Sequence, residues 1–558
     1  MKRIVFWTIA SLCLILYLIA NFSDPGEKIK HNFKQACQEV ILAREMENSS
    51  YVSAFKKYKN AIARLNNITD KYSSSDIALK LFNNQLKIGP YPFLEFKEEV
   101  VPQAKLRAEA ENDSLDCAFY AVNLMDTIPY DDKLKVMKAA KLTNISILYT
   151  KNWRFRKAAA TLSEAKKIVA TIYSDTFKIG ALTEMAQILE KVGKKKEARQ
   201  LLDQALALVK TIPQNSRPEA FHKLLTTYCL IGDFETAANL INGFQATNSD
   251  QANAIISQHY AREGKLKSAL DTAEKIKDDN LQAETLRVIV ENYAAKGRYE
   301  KAGELALKIN PSQLVWKAKA LADIAFYAAQ DGKKEIAASY FNEAERTAAL
   351  FESFELPQKL SVINYITLRF IEIQDQENTR RLLKSSFAEA IKLPEFNRAE
   401  AFADIAVAYG RLGELEKAME LVKLYIPSFL SLDIRGNTLA ELALFYAENQ
   451  QYPKALELAN QVAAETTLPE VNRASVLSEI AIIAAKAGDL QTGLEIARQI
   501  DCSFYKPWTL GEIALQLPCH HYPLFNNGKN KGLLHQIISE LNHHSNPVLQ
   551  PITALEVK

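Results

Sequence analysis

Apolar positions recur along this chain at spacings of three and four, the period of one buried helix face. The clearest stretch is Arg398–Ala418, RAEAFADIAVAYGRLGELEKA. Ala401, Phe402, Ile405, Ala406 and Tyr409 form the apolar face. Asn397 with Glu400 three residues on is a capping-box start. Gly413 stops the helix, where a left-handed residue is needed. Glu414 and Glu416 open a second helix at its positive end. Ala418, five residues past the glycine, lets the two helices pack closely.

The same frame fits at Gly193, Gly232, Gly264, Gly297, Gly332, Gln450 and Gly488. Small residues follow five positions later, at Ala198, Ala237, Ala269, Ala302, Ala337, Ala455 and Gly493. Successive turns lie 39, 32, 33 and 35 residues apart in the first half and 37 and 38 in the second. The 81 residues between Gly332 and Gly413 leave room for one degenerate copy around Asp375. Arg380 or Arg381 takes its small-residue place. A weaker copy has its turn at Asn152-Trp153 and its small residue at Ala158. A helix–turn–helix unit of about 34 residues marks an α-solenoid.

The chain resembles the tetratricopeptide repeat family. Ala406, Tyr409, Gly413 and Ala418 match the family's small residue, aromatic, turn glycine and later alanine. The family's early tryptophan is absent and its late proline irregular. The resemblance covers roughly 141–517. It implies an all-α, right-handed α-solenoid whose first helices line a concave face.

The rest of the chain divides by composition. Residues 1–20 carry Lys2 and Arg3 before an apolar run, Ile4 to Ala20. This run reads as a signal anchor or transmembrane helix, or as a cleaved signal peptide. A buried N-terminal helix is the third reading. Either main reading places the remainder outside the cytoplasm, single-pass or secreted. Residues 21–27 are a linker, 28–100 an N-terminal helical cap, 101–517 the repeats, and 518–558 a C-terminal cap and loose tail. Gly89-Pro-Tyr-Pro92 is the sharpest break, and the subdomain boundary is placed there.

One charge pattern exceeds the packing frame. A base recurs near the start of first helices, at Lys178, Arg217, Lys317, Arg398, Arg435, Arg473 and Lys506. An acid recurs six residues later, at Glu184, Asp323, Asp404, Glu441, Glu479 and Glu512. A spacing of six puts the two on different helix faces, so their partners lie in neighbouring repeats. The bland reading is an inter-repeat ion-pair ladder. The functional one is a charged groove wall that anchors polar peptide. The run Lys191, Lys194, Lys195, Lys196 is a solvated helix start.

Catalytic signatures are missing. There is no phosphate-binding Gly-Lys-Ser/Thr loop, no Gly-x-Ser-x-Gly and no His-Glu-x-x-His. No Cys-x-x-Cys occurs among the six cysteines. Cys502 and Cys519 are the pair nearest in sequence, and a disulfide between them is left open. Five of the eight histidines fall in the last 39 residues, in no zinc-module spacing. Net charge is +3, near balance, which argues against a nucleic-acid partner.

The expected function is a non-enzymatic, membrane-tethered scaffold without cofactor or metal. It binds a protein or peptide along the concave face. The alternative is a cell-envelope assembly or enzyme-accessory factor whose divergent ends bind while the repeats act as spacer.

Overall fold

The computed structural model describes residues 25–125, 131–243, 249–426, 432–462, 472–517 and 528–545. The chain forms two compact units, one of residues 126–509 and one of 1–125 with 510–558.

The smaller unit begins with α1 (Pro25–Glu47), α2 (Tyr51–Lys71) and α3 (Asp76–Phe82). A two-residue hairpin follows, β1 (Lys87–Ile88) antiparallel to β2 (Tyr91–Pro92). Next come α4 (Phe93–Glu95), a π-helical turn Phe96–Val100, α5 (Val101–Asn112) and α6 (Ser114–Asn123). The Gly89-Pro-Tyr-Pro92 break is thus a hairpin inside this unit. Its apolar neighbours Ile88, Tyr91, Phe93 and Phe96 are buried in the core of α1 and α2. That burial ties the hairpin down, and the division between units falls after Met125.

The larger unit is a succession of helix pairs. They are α7 (Asp132–Lys151) with α8 (Phe155–Ala170), α9 (Asp175–Glu190) with α10 (Lys195–Thr211), and α11 (Arg217–Leu230) with α12 (Phe234–Gly243). Next come α13 (Ser249–Arg262) with α14 (Leu266–Ala273), α15 (Asp279–Ala294) with α16 (Tyr299–Leu307), and α17 (Leu314–Gln330) with α18 (Lys334–Ala349). The last are α19 (Leu356–Glu372) with α20 (Gln376–Ala390), α21 (Glu395–Arg411) with α22 (Leu415–Tyr425), α23 (Leu432–Glu448) with α24 (Tyr452–Ala459), and α25 (Arg473–Lys486) with α26 (Leu490–Arg498). Helix α27 (Tyr505–Leu515) spans the division between units, and α28 (Gly528–Ser545) belongs to the smaller one.

Each pair turns on one left-handed residue. All seven turn glycines have positive φ, and so do Trp153, Gln374 and Gln450. At Gly413 the amide of Glu414 donates to the Tyr409 carbonyl at 3.0 Å and that of Gly413 to Gly410 at 2.9 Å. This double closure satisfies carbonyls that the helix end would otherwise leave bare. Five residues on, Ala418 is fully buried. At Gly493 a Cβ would come within 2.9 Å of the Ala481 carbonyl, so no larger residue fits without a shift.

The degenerate copy turns at Gln374, one residue before the position read from sequence. Its small-residue place therefore falls to Thr379, fully buried, and not to Arg380 or Arg381. Those arginines point outward, to Glu414 at 3.2 Å and Glu345 at 2.7 Å.

Every first helix from α7 to α25 packs against the next first helix as well as its own partner. Two alanine-rich core clusters lie between the rows, one drawn from residues 261–382 and one from 360–500. Within this unit the Lys141 ammonium of α7 lies 5.3 Å over the Trp508 ring. The chain is an all-α helical-repeat solenoid.

The expected apolar helix at residues 1–20 lies outside the described residues. Among the described residues no helix is long and apolar enough to cross a membrane. The single-pass, extracytoplasmic placement is corrected on this finding and is not carried further. Cys37, Cys117, Cys229 and Cys502 are free thiols, and Cys519 lies outside the described residues.

Candidate functional site

The recurrent bases and acids do not form one ladder. Several bases turn back to the end of the preceding repeat. Arg398 donates to the Leu393 carbonyl through Nε at 3.1 Å and Nη2 at 2.8 Å. Arg217 reaches the Ile212 carbonyl at 3.0 Å, and Arg435 the Ile426 carbonyl at 3.4 Å. Arg473 donates to the Asn460 side chain at 3.0 Å. A cation at the carbonyl-rich end of the previous repeat is favourable, which offsets its poor position at the start of its own helix. Lys317 is half-buried on α17.

The acids sit on the row of first helices and take different partners. Asp323 of α17 is fully buried between two arginines. Arg287 of α15 donates to it at 3.0 Å and Arg369 of α19 at 2.8 Å. The Tyr365 hydroxyl donates to the same carboxylate. Burial, then the Asp323 charge, pushes that hydroxyl well above its ordinary range, so it stays a donor. Arg369 also lies 4.6 Å over the Phe326 ring. One carboxylate thus clamps three consecutive first helices. Such a buried hub adds little net stability over an apolar replacement, while loss of one partner is costly.

Glu184 of α9 and Glu479 of α25 stay on the open face, where partial burial raises each carboxyl above its usual value. Glu512 lies on the part of α27 that belongs to the smaller unit and is half-buried.

Asp404 and Glu441 are brought together. They line a cavity of about 390 Å³ between α19, α21 and α23, with Glu400 as a third carboxylate. Asn364, Asn397, Asn437, Ser361, Ser386 and Thr438 supply further polar atoms. Glu441 accepts from Arg411 at 2.8 Å. Asp404 is open to water at the mouth but walled by protein on most sides. Burial, then the Glu441 and Glu400 charges, pushes its carboxyl up to about 6, although Lys319 and Asn364 pull the other way. Two polar atoms of the lining are buried without a partner, Asn364 Oδ1 and Ser386 Oγ.

Sequence reading missed Arg287, Arg369, Tyr365, Asn364 and Ser386. A signal existed for one of them. The acids of α17, α21, α23 and α25 stand nine residues before their turn residue, and Tyr365 stands nine before Gln374. Among the described residues no three His, Cys, Asp or Glu side chains gather closely enough to hold a metal ion.

No family model matches the chain, and no curated protein matches it. Solved structures do. The human IFIT1 dimer with m7Gppp-AAAA is 14% identical, with 74% of this chain and 93% of that chain covered, at a TM-score of 0.28. Ton1535 from Thermococcus onnurineus NA1 is 12% identical over 66% of this chain and 97% of its own, at 0.19. A circular tandem repeat protein with novel repeat topology is 14% identical over 92% and 95%, at 0.15. Likeness at this level concerns the helical-repeat fold alone. The expectation of no nucleic-acid partner is nevertheless corrected. One of these neighbours is recorded with m7Gppp-AAAA, and the exclusion of nucleic acid is not carried further.

Proposed function

We propose that this chain is a non-enzymatic scaffold of tetratricopeptide type that binds a protein or peptide along its row of first helices. The observation that supports this is the cavity between α19, α21 and α23, where three carboxylates line the open side and two unpartnered polar atoms lie buried in the wall. Buried polar atoms normally have partners, and a set left without them on an accessible face awaits a ligand. The turn chemistry at Gly413 and the buried Ala418 support the family reading.

The test is selection of a phage-displayed random peptide library on the full chain, with a photo-reactive residue at Asn437 of α23 or Lys384 of α20. Selected peptides are expected to label the first position and spare the second. Labelling only from Lys384, or selection of RNA but not peptide ligands, overturns the reading.

A further inference from the structure

The cavity on α19, α21 and α23 has an excess of acceptors. Ser386 is only 4% exposed, lines the cavity, and its Oγ has no hydrogen-bond partner. Asn364 presents a second unpartnered buried oxygen. Among the described residues no cation pairs directly with Asp404. Its nearest positive neighbour in charge, Lys319, is held 5.4 Å over both the Trp316 and Tyr365 rings. Only Glu441 of the three carboxylates has a guanidinium against it, that of Arg411.

The walls matter as much as the oxygens. Leu360, Leu393, Ile405, Val407 and Ile434 line the same space. A ligand that fits must carry several donors, a positive charge and an apolar stem. An ammonium has three donors and no acceptor, and its methylene chain packs on aliphatic walls. A bare metal ion fits poorly, because the carboxylates do not gather into a coordinating group.

We infer that this cavity receives a lysine side chain of the bound polypeptide, its ammonium against Asp404, Asn364 Oδ1 and Ser386 Oγ and its stem along the aliphatic wall. This rests on the peptide-binding reading above.

The test is calorimetric titration of the full chain with a capped Gly-Lys-Gly peptide, its ε-acetylated counterpart and 1,5-diaminopentane. The amine peptide is expected to bind wild type, and Asp404→Asn to weaken it by about threefold to fivefold, since the ammonium loses its carboxylate partner at a water-exposed mouth. Ser386→Ala weakens it less. Lys384→Gln, exposed on α20 and outside the cavity, leaves it unchanged. Acetylation abolishes the difference between wild type and Asp404→Asn. Binding also falls as Asp404 protonates below about pH 6, with Glu400, Glu441, Arg411 and Lys319 as the other charges facing it.

Equal affinity for Asp404→Asn, equal affinity for the acetylated peptide, or no heat from the amine peptide overturns the inference. Tight binding of the diamine with none of the peptide overturns the lysine as its source. If these fail while library peptides still label Asn437, only the cavity chemistry is lost. If the labelling fails too, the scaffold reading falls with it.

Discussion

At the scale of single residues, three buried or half-enclosed charges set the energetics. Asp323 pairs with two arginines at once. Asp323→Ala removes the carboxylate the two share inside the core, and a loss of about 3–5 kcal/mol is expected in urea unfolding. Arg287 and Arg369 can also reach Glu291 and Glu372, so a loss near zero would show that these acids substitute. Lys141 has the opposite sign. Burial and Lys486 push its ammonium down to about 7, below the unfolded value of about 10.4. Between those values the unfolded chain binds a proton that the folded chain does not, so stability rises with pH across that window. Lys141→Met is expected to flatten this rise and to raise the urea midpoint near neutral pH. Asp404 behaves likewise on the acid side. Its folded value is about 6, above the unfolded value of about 3.9, so stability falls as pH rises between them. Asp404→Asn is expected to remove that fall and to be more stable than wild type at neutral pH, which a pH series of melting curves reads directly.

At the scale of elements, the turn residue decides whether two helices pair. Gly413 has φ of +84°, and a Cβ there would meet nothing within 4 Å. The cost of Gly413→Ala is therefore backbone strain alone, about 1–2 kcal/mol. Gln374 and Gln450 already bear that strain, with φ of 63° and 59°. Gln450→Gly is expected to raise the melting temperature while Gly413→Ala lowers it. Equal and opposite shifts are not required, because the glycine also loosens the unfolded chain. Gln374 explains why the degenerate copy is hard to place from sequence. Without a glycine, Asp375 is the more turn-like residue, and its side chain does cap α20 through the Asn378 amide at 3.0 Å.

At the scale of the molecule, the C-terminal helix belongs with the N-terminal ones. In the smaller unit His535 of α28 meets Glu111 of α5 at 2.8 Å. Glu111 is 1% exposed and also accepts from the amides of Tyr51 and Val52 at the start of α2. Asn542 bridges the Tyr51 and Tyr120 hydroxyls at 3.1 and 2.7 Å. Truncation after residue 527 is therefore expected to speed amide exchange in α2 and α5 while leaving α17 to α21 protected. Faster exchange in α17 to α21 alone would contradict this division. Nothing in the sequence pairs His535 with Glu111, because the two are 424 residues apart and share no repeat register.

The helix period, the turn positions and the buried small residues are local properties. Hydrophobic spacing and a left-handed turn residue act within one helix pair, so Ala401 to Ala418 reveal the architecture unaided. The recurrence of acids on first helices is local too, and Asp404 and Glu441 were visible as members of that row. Their different fates are not. Asp323 became a structural hub because Arg287 and Arg369 of neighbouring pairs point at it. Asp404, at the same register, faces Asn364 and Ser386 and stays available. Which neighbour a groove residue meets depends on how successive pairs stack, a contact between residues tens of positions apart that periodicity does not encode.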